Sequence, residues 1–171
     1  MPNNNESFKA FGIFWKTLLV IAVYFISFQS ANILINTWQN FMASERLQNY
    51  IYGDKFFIIG DSKLKIILSD TEEKRIKGLS GMEKLDYGHA MLFAFDKKDY
   101  YGIWMKEMNF PIDIIWFDEK FEVVYFLEDV LPSSYPNIFK PKFPAKYILE
   151  VGSGFVRTAG IKNGDQGTFL D

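Results

Sequence analysis

Ile112-Asp113-Ile114-Ile115-Trp116-Phe117, the turn Asp118-Glu119-Lys120 and the run Glu122-Val123-Val124-Tyr125-Phe126-Leu127 read as two β-strands around a reversal. Side-chain alternation sets Asp113 on one face with Ile115 and Phe117, and Ile112, Ile114 and Trp116 on the other. Both faces are apolar, so the strand is expected to be buried on both sides or nearly so. A carboxylate inside it must be paired, hydrogen-bonded or protonated.

Similar short runs lie to either side. Lys55–Ile59 and Leu64–Leu68 flank Gly60-Asp61-Ser62, a hairpin signal. Ala90–Phe95 and Tyr101–Met105 are strands around the turn Asp96-Lys97-Lys98-Asp99; Lys146–Val151 and Gly167–Leu170 complete the set. One clear helix follows Asp70, read as its cap with Glu73 three residues on, and ends at Gly78. Phe155–Gly160 reads as a helical turn. Leu131–Ala145, with Pro132, Pro136, Pro141 and Pro144, reads as a long irregular loop. The expected fold is mainly β: a small antiparallel sandwich or barrel-like domain over residues 54–171, with one or two short helices.

Residues 1–10 form an N-terminal tail. Residues 11–35 reach the length of a transmembrane or signal-anchor helix, interrupted only by Lys16 near one end and by Gln29, Ser30 and Asn32. A cleaved signal peptide and a buried helix of a soluble protein are the alternatives, although Gln29-Ser30-Ala31 is a poor cleavage site. Lys9 and Lys16 favour an inside N-terminus and an extracytoplasmic domain on a single-pass chain. Residues 36–53, carrying Trp38, Phe41, Met42 and Leu47, are expected to be a helical juxtamembrane linker.

Composition narrows the chemistry. The chain has 171 residues and a formal charge of −2, which argues against nucleic acid as a partner. It has no cysteine, which excludes disulfides, thiolate metal sites and cysteine nucleophiles; its single histidine, His89, excludes most zinc sites and serine–histidine pairs.

Seven segments occur in a recognisable order: Asp70-Thr71-Glu72-Glu73, Gly78-Leu79-Ser80-Gly81, Met91-Leu92-Phe93, Trp104-Met105-Lys106, Pro111-Ile112-Asp113-Ile114-Ile115, Tyr147-Ile148-Leu149-Glu150, and Gly160-Ile161-Lys162-Asn163-Gly164-Asp165. The ordered set resembles domain-of-unknown-function family 192 (DUF192), with this chain as a membrane-anchored member. The resemblance implies a mainly-β, sandwich-like fold, often with a signal or membrane segment, and implies no reaction. Two positions depart from the family pattern: Ala90 stands where glycine is usual, and Met82 where arginine is usual.

Asp113 and Glu150 are the candidate acid–base carboxylates, and Trp104, Lys106, Asp113 and Glu150 the candidate ligand-binding set. The plainer alternative has both acids accepting backbone N–H groups or pairing with Lys106 or Arg157. Trp104 is either core or a stacking platform for a ring. His89 reads as an exposed loop residue. Asp118, Glu119 and Asp165 have calcium-ligand chemistry, but in turns that favour acids anyway, and no metal or cofactor is called for. The glycines of 78–81 and 152–154 lack the pattern of a phosphate loop. Three functions follow. The first is a non-catalytic envelope module that binds a glycan, a small molecule or an envelope protein through the Pro-rich loop and exposed aromatics. The second is an enzyme using the Asp113–Glu150 pair. The third is a structural partner in a membrane complex.

Overall fold

The computed structural model describes residues 29–40 and 55–170. Among those described residues are nine strands, two short α-helices and one 3-10 turn (Pro132–Ser134) in the part from residue 55 onward. They are β1 (Phe56–Ile59), β2 (Ser62–Ser69), α1 (Glu72–Lys77), β3 (His89–Asp99), β4 (Ile103–Trp104), β5 (Ile112–Phe117), β6 (Val123–Val130), β7 (Ile138–Phe139), β8 (Ala145–Gly152), α2 (Phe155–Ala159) and β9 (Gly167–Leu170). Seven of the strands form one sheet in the order β6-β5-β8-β3-β2-β1-β9, while β4 and β7 make a separate ribbon.

The sheet curls into a half-barrel. Phe57 on β1 meets Phe117 on β5 edge-on at 5.1 Å, although three strands separate β1 from β5 in the sheet. Phe57 also meets Phe121 at 5.5 Å. At one end the two margins bond to each other: Gly167 N–H donates to the Phe121 carbonyl, Val123 N–H to Asp165, and Gly164 N–H to Val123. The inner face holds Phe57, Ile66, Leu92, Ile115, Phe117, Leu149, Val151 and Val156. The outer face holds Leu79, Met91, Phe93, Met105, Ile112, Ile114, Trp116 and Ile148. All six residues of β5 are buried, and they divide between the faces as their alternation dictates.

Several expectations need correction. The sheet is not wholly antiparallel: β2 and β3 run parallel, with Lys65 opposite His89 and Ser69 opposite Phe93. The long connection through α1 makes this possible, because parallel neighbours need a crossover that a tight turn cannot supply. β8 inserts between β3 and β5, pairing with both. Asp96–Asp99 belongs to β3 rather than to a turn. Only Ile103–Trp104 of the expected strand 101–105 is extended, and it pairs with β7 inside the Pro-rich stretch. Gly102 permits that approach, since a Cβ there would lie 2.4 Å from Ile138 Cγ2. The cap of α1 is Thr71, whose hydroxyl accepts from Lys74 N–H at 3.3 Å. Asp70 instead pairs with the Lys74 ammonium at 2.7 Å.

The chain divides into two units, residues 1–48 and 49–171. In the first, residues 29–40 are helical and exposed. The expected anchor covers 11–35; its residues 11–28, the tail 1–10 and residues 41–53 of the linker lie outside the described residues. Among the described residues no helix is long and apolar enough to cross a membrane.

Candidate functional site

Asp113 and Glu150 sit on neighbouring strands, one step out of register. Ile114 faces Glu150, and Asp113 faces Val151. Directly opposed residues share a face, so Asp113 belongs to the inner face and Glu150 to the outer one. The two carboxylates are therefore not brought together, and the sheet separates them.

Their surroundings differ as much as their faces. Asp113 is fully buried and satisfied: Oδ1 accepts from Asp129 N–H and Oδ2 from Val156 N–H, each at 2.8 Å. It fastens the end of β6 and the first turn of α2 to β5. Arg157 pairs not with Asp113 but with Asp129 at 3.3 Å and Glu128 at 3.7 Å. Glu150 is 4% exposed, and its Oε2 has no hydrogen-bond partner. Burial alone pushes its carboxyl up to about 8, so the acid holds its proton at neutral pH.

Glu150 is one of the buried residues lining a cleft of about 420 Å³ on the outer face. Leu79, Phe93, Ile103 and Met108 give it apolar walls. Arg75, Phe95 and Tyr101 form a layered side. The Arg75 guanidinium lies 4.9 Å from the Phe95 ring centre and donates to the Ala94 carbonyl at 2.8 Å. Phe95 in turn stacks on Tyr101 at 3.6 Å, nearly parallel at 7°. Burial raises the Tyr101 phenol, whose O–H donates to the Lys97 carbonyl at 3.0 Å. Around the mouth stand the exposed Ile76, Tyr100, Trp104 and Ile138, with Lys77 and Lys140 adding positive charge beside Arg75.

Trp104 is thus not core: it is 42% exposed at the cleft mouth, while Met105 beside it is 1% exposed and packed inside. Alternation along β4 buries Ile103 and turns Trp104 outward, and the pairing of Trp104 with Ile138 holds it at the surface. Lys106 lies in the turn after β4. Its carbonyl accepts from Ser80 Oγ at 2.7 Å, and its ammonium is 3.8 Å from Glu107 rather than beside Asp113 or Glu150. Of the four residues named from sequence, the structure joins Trp104 and Glu150 in one cleft.

Sequence reading missed Arg75, Phe95, Tyr101 and Lys140. Arg75 belongs to the last turn of α1, where a cation suits the helix dipole, and nothing in its spacing announces Phe95 beneath it. Met82 is half-buried against the outer core, its carbonyl accepting from Asn109, and Ala90 is fully buried between Ile66 and Val151. His89 is the first residue of β3, with Nδ1 3.2 Å from the Tyr87 carbonyl. It borders a second hollow, of about 510 Å³, with Ser62, Ser153 and Thr158. Asp118 accepts from Lys120 and Glu122 N–H, and Asp165 from Lys162 N–H, each within its own turn. Among the described residues, no three or more acids or histidines gather as metal ligands.

The sequence matches the DUF192 family model, described as uncharacterized ACR, over residues 57–169. A UPF0127 protein of Thermococcus kodakarensis is 30% identical over 101 residues, which is 59% of this chain and 62% of that protein. A UPF0127 protein of Thermococcus gammatolerans is 30% identical over 98 residues, covering 57% and 61% respectively. The chain spans about three fifths of the length of these curated relatives. Two solved structures share the fold. A Sinorhizobium meliloti protein, provisionally assigned as a transcription regulator, has a TM-score of 0.62 at 24% identity, with 67% of this chain and 91% of that one covered. A Novosphingobium aromaticivorans protein of unknown function has a TM-score of 0.63 at 23% identity, with 67% and 83% covered. At that identity the likeness is one of fold alone.

Proposed function

The chain belongs to the DUF192 family, which carries no assigned activity, and from that premise we propose that its β domain is a non-catalytic module binding a small molecule in the Glu150 cleft. One observation carries the reading: Glu150, a residue of the cleft lining, has a buried Oε2 without a hydrogen-bond partner, whereas Asp113 on the other face accepts two backbone N–H bonds. An unmet buried polar atom costs about 1–3 kcal/mol. A ligand that bonds to it recovers that energy, which the domain alone forgoes. Apolar walls with one convergent polar group and exposed aromatics at the rim are the usual make-up of a ligand pocket. The enzyme reading drew on Asp113 and Glu150 acting together. With the sheet between them that support is gone, since a shared reacting atom would have to reach both faces.

The same proposal places the domain on the extracytoplasmic side of a membrane. Its support is sequence alone: the span of residues 11–35 and the preceding Lys9 and Lys16. The two parts are tested separately. A thermal-shift screen of the whole chain against sugars and single-ring compounds should yield ligands whose stabilisation is lost in Trp104→Ala. A blank screen, or stabilisation indifferent to that change, refutes the cleft. For location, protease added to intact cells should cut the domain once any outer barrier is opened. A domain that remains protected until the cell membrane itself is broken refutes the outside placement.

A further inference from the structure

We propose that the cleft takes a small amphoteric molecule: an apolar, ring-sized body with a protonated amine turned in to Glu150 and an anionic group left among Arg75, Lys77 and Lys140. The inference rests on the cleft reading above and adds the chemical class of the ligand.

Three features of the lining lead to it. Among the buried lining residues, Glu150 has a carboxyl oxygen, Oε2, that is shut away from solvent and for which the protein supplies no donor. A carboxyl away from water gains most from a donor that also carries positive charge, because the pair then neutralises itself in a medium of low dielectric. Leu79, Phe93, Ile103 and Met108 line the same cleft and present no side-chain donor and no strong acceptor, so the body that lies against them is apolar. A volume of about 420 Å³ holds one ring with its substituents and leaves room beside it. At the mouth stand three cationic side chains, with Glu72 the single acid in the lining besides Glu150. That field repels a simple amine and attracts an anion. Only a molecule with its two charges at opposite ends satisfies Glu150 and rim together.

The proton balance is specific. The empty site holds Glu150 as the neutral acid, because burial raises its pKa to about 8. The ligand arrives as an ammonium and keeps its proton. Glu150 becomes a carboxylate beside it, and the displaced proton leaves to solvent. Glu72, Arg75, Lys77, Lys140, Tyr100 and Tyr101 are the other titratable groups of the lining, and burial raises the Tyr101 phenol, which keeps its proton at neutral pH.

The experiment is calorimetric titration of the full chain at neutral pH with 4-(aminomethyl)benzoate, benzylamine, benzoate and benzamide, each in two buffers of different ionisation heat. The amphoteric probe should bind about tenfold or more tighter than benzylamine or benzoate, and should release close to one proton. Glu150→Gln should abolish the proton release and weaken the amphoteric probe by about tenfold or more, with benzoate little changed. Should that variant fail to fold, proton release by the unaltered chain still decides. Tight binding of the amphoteric probe without proton release overturns the inference. So does benzamide or benzoate binding as tightly, and either result leaves a ligand-binding cleft standing. If no probe binds and the wider screen of sugars and ring compounds is also blank, the cleft reading falls as well.

Discussion

Replacing Glu150 with glutamine should change how stability depends on pH more than it changes stability at any one pH. The wild-type carboxyl has a pKa raised from 4.5 to about 8 by burial. Between those values the unfolded chain has released this proton and the folded chain has not. The folded state thus binds more protons, and stability falls as pH rises through that window. The contribution is complete below the unfolded value, declines by about 1.4 kcal/mol per pH unit, and is gone above the folded value. Across the whole window the loss amounts to roughly 5 kcal/mol, to order of magnitude. Glutamine does not titrate. Its amide adds a buried donor without an evident partner, an offset of about 1–3 kcal/mol that is the same at every pH. Urea unfolding of both chains between pH 5 and pH 8 should therefore give a difference that moves steadily in favour of the glutamine variant. The shift across that range should be about 3–4 kcal/mol. Parallel stability curves would refute the reasoning, because they would mean that Glu150 ionises in the folded chain as easily as in water.

Other substitutions probe the remaining structure. Asp113→Asn leaves one of the two backbone N–H groups facing an amide N–H₂, and should cost about 2–4 kcal/mol in chemical denaturation, whereas a loss below 1 kcal/mol would deny the anchoring role. Thr71→Ala should lower stability by about 1 kcal/mol while Asp70→Ala stays within about 0.5 kcal/mol; the reverse order would restore Asp70 as the cap. Gly167→Ala puts a Cβ 2.4 Å from Phe57 Cζ and should cost about 1–3 kcal/mol, partly recovered when Phe57 is also made leucine; no recovery would place the strain elsewhere.

What could be read in the chain depended on how local the cause was. The division of β5 between two faces follows from alternation, which acts within one strand, so Ile115 and Phe117 fell opposite Ile112, Ile114 and Trp116 as expected. Strand neighbours are a different matter. Alternation says which way a side chain points but not which strand lies beside it, and so the parallel β2–β3 pair and the insertion of β8 were illegible. Asp113 and Glu150 look alike in sequence, each an acid among aliphatic residues. They differ because partners 16 and 43 residues away reach Asp113, while none reaches Glu150 Oε2. Trp104 was ambiguous for the same reason: its exposure is set by Ile138, inside a stretch that read as irregular loop. Arg75 lies in the last turn of α1, but its seat over Phe95 depends on where β3 runs.

The hydrogen bonds from residues 164–167 to Phe121 and Val123, with β9 laid along β1, have a consequence for biosynthesis. The half-barrel is shut by its latest-made piece. Until residues 164–170 leave the ribosome, β1 stands with one side bare, and the ring of Phe57 lacks the backbone of Gly167 against it. Local turns such as α1 can form early, but closure waits on contacts between distant parts of the chain, which is the slow way to fold. A stop codon that removes β9 would leave both margins of the sheet open to other chains, turning a shut shell into a template for aggregation.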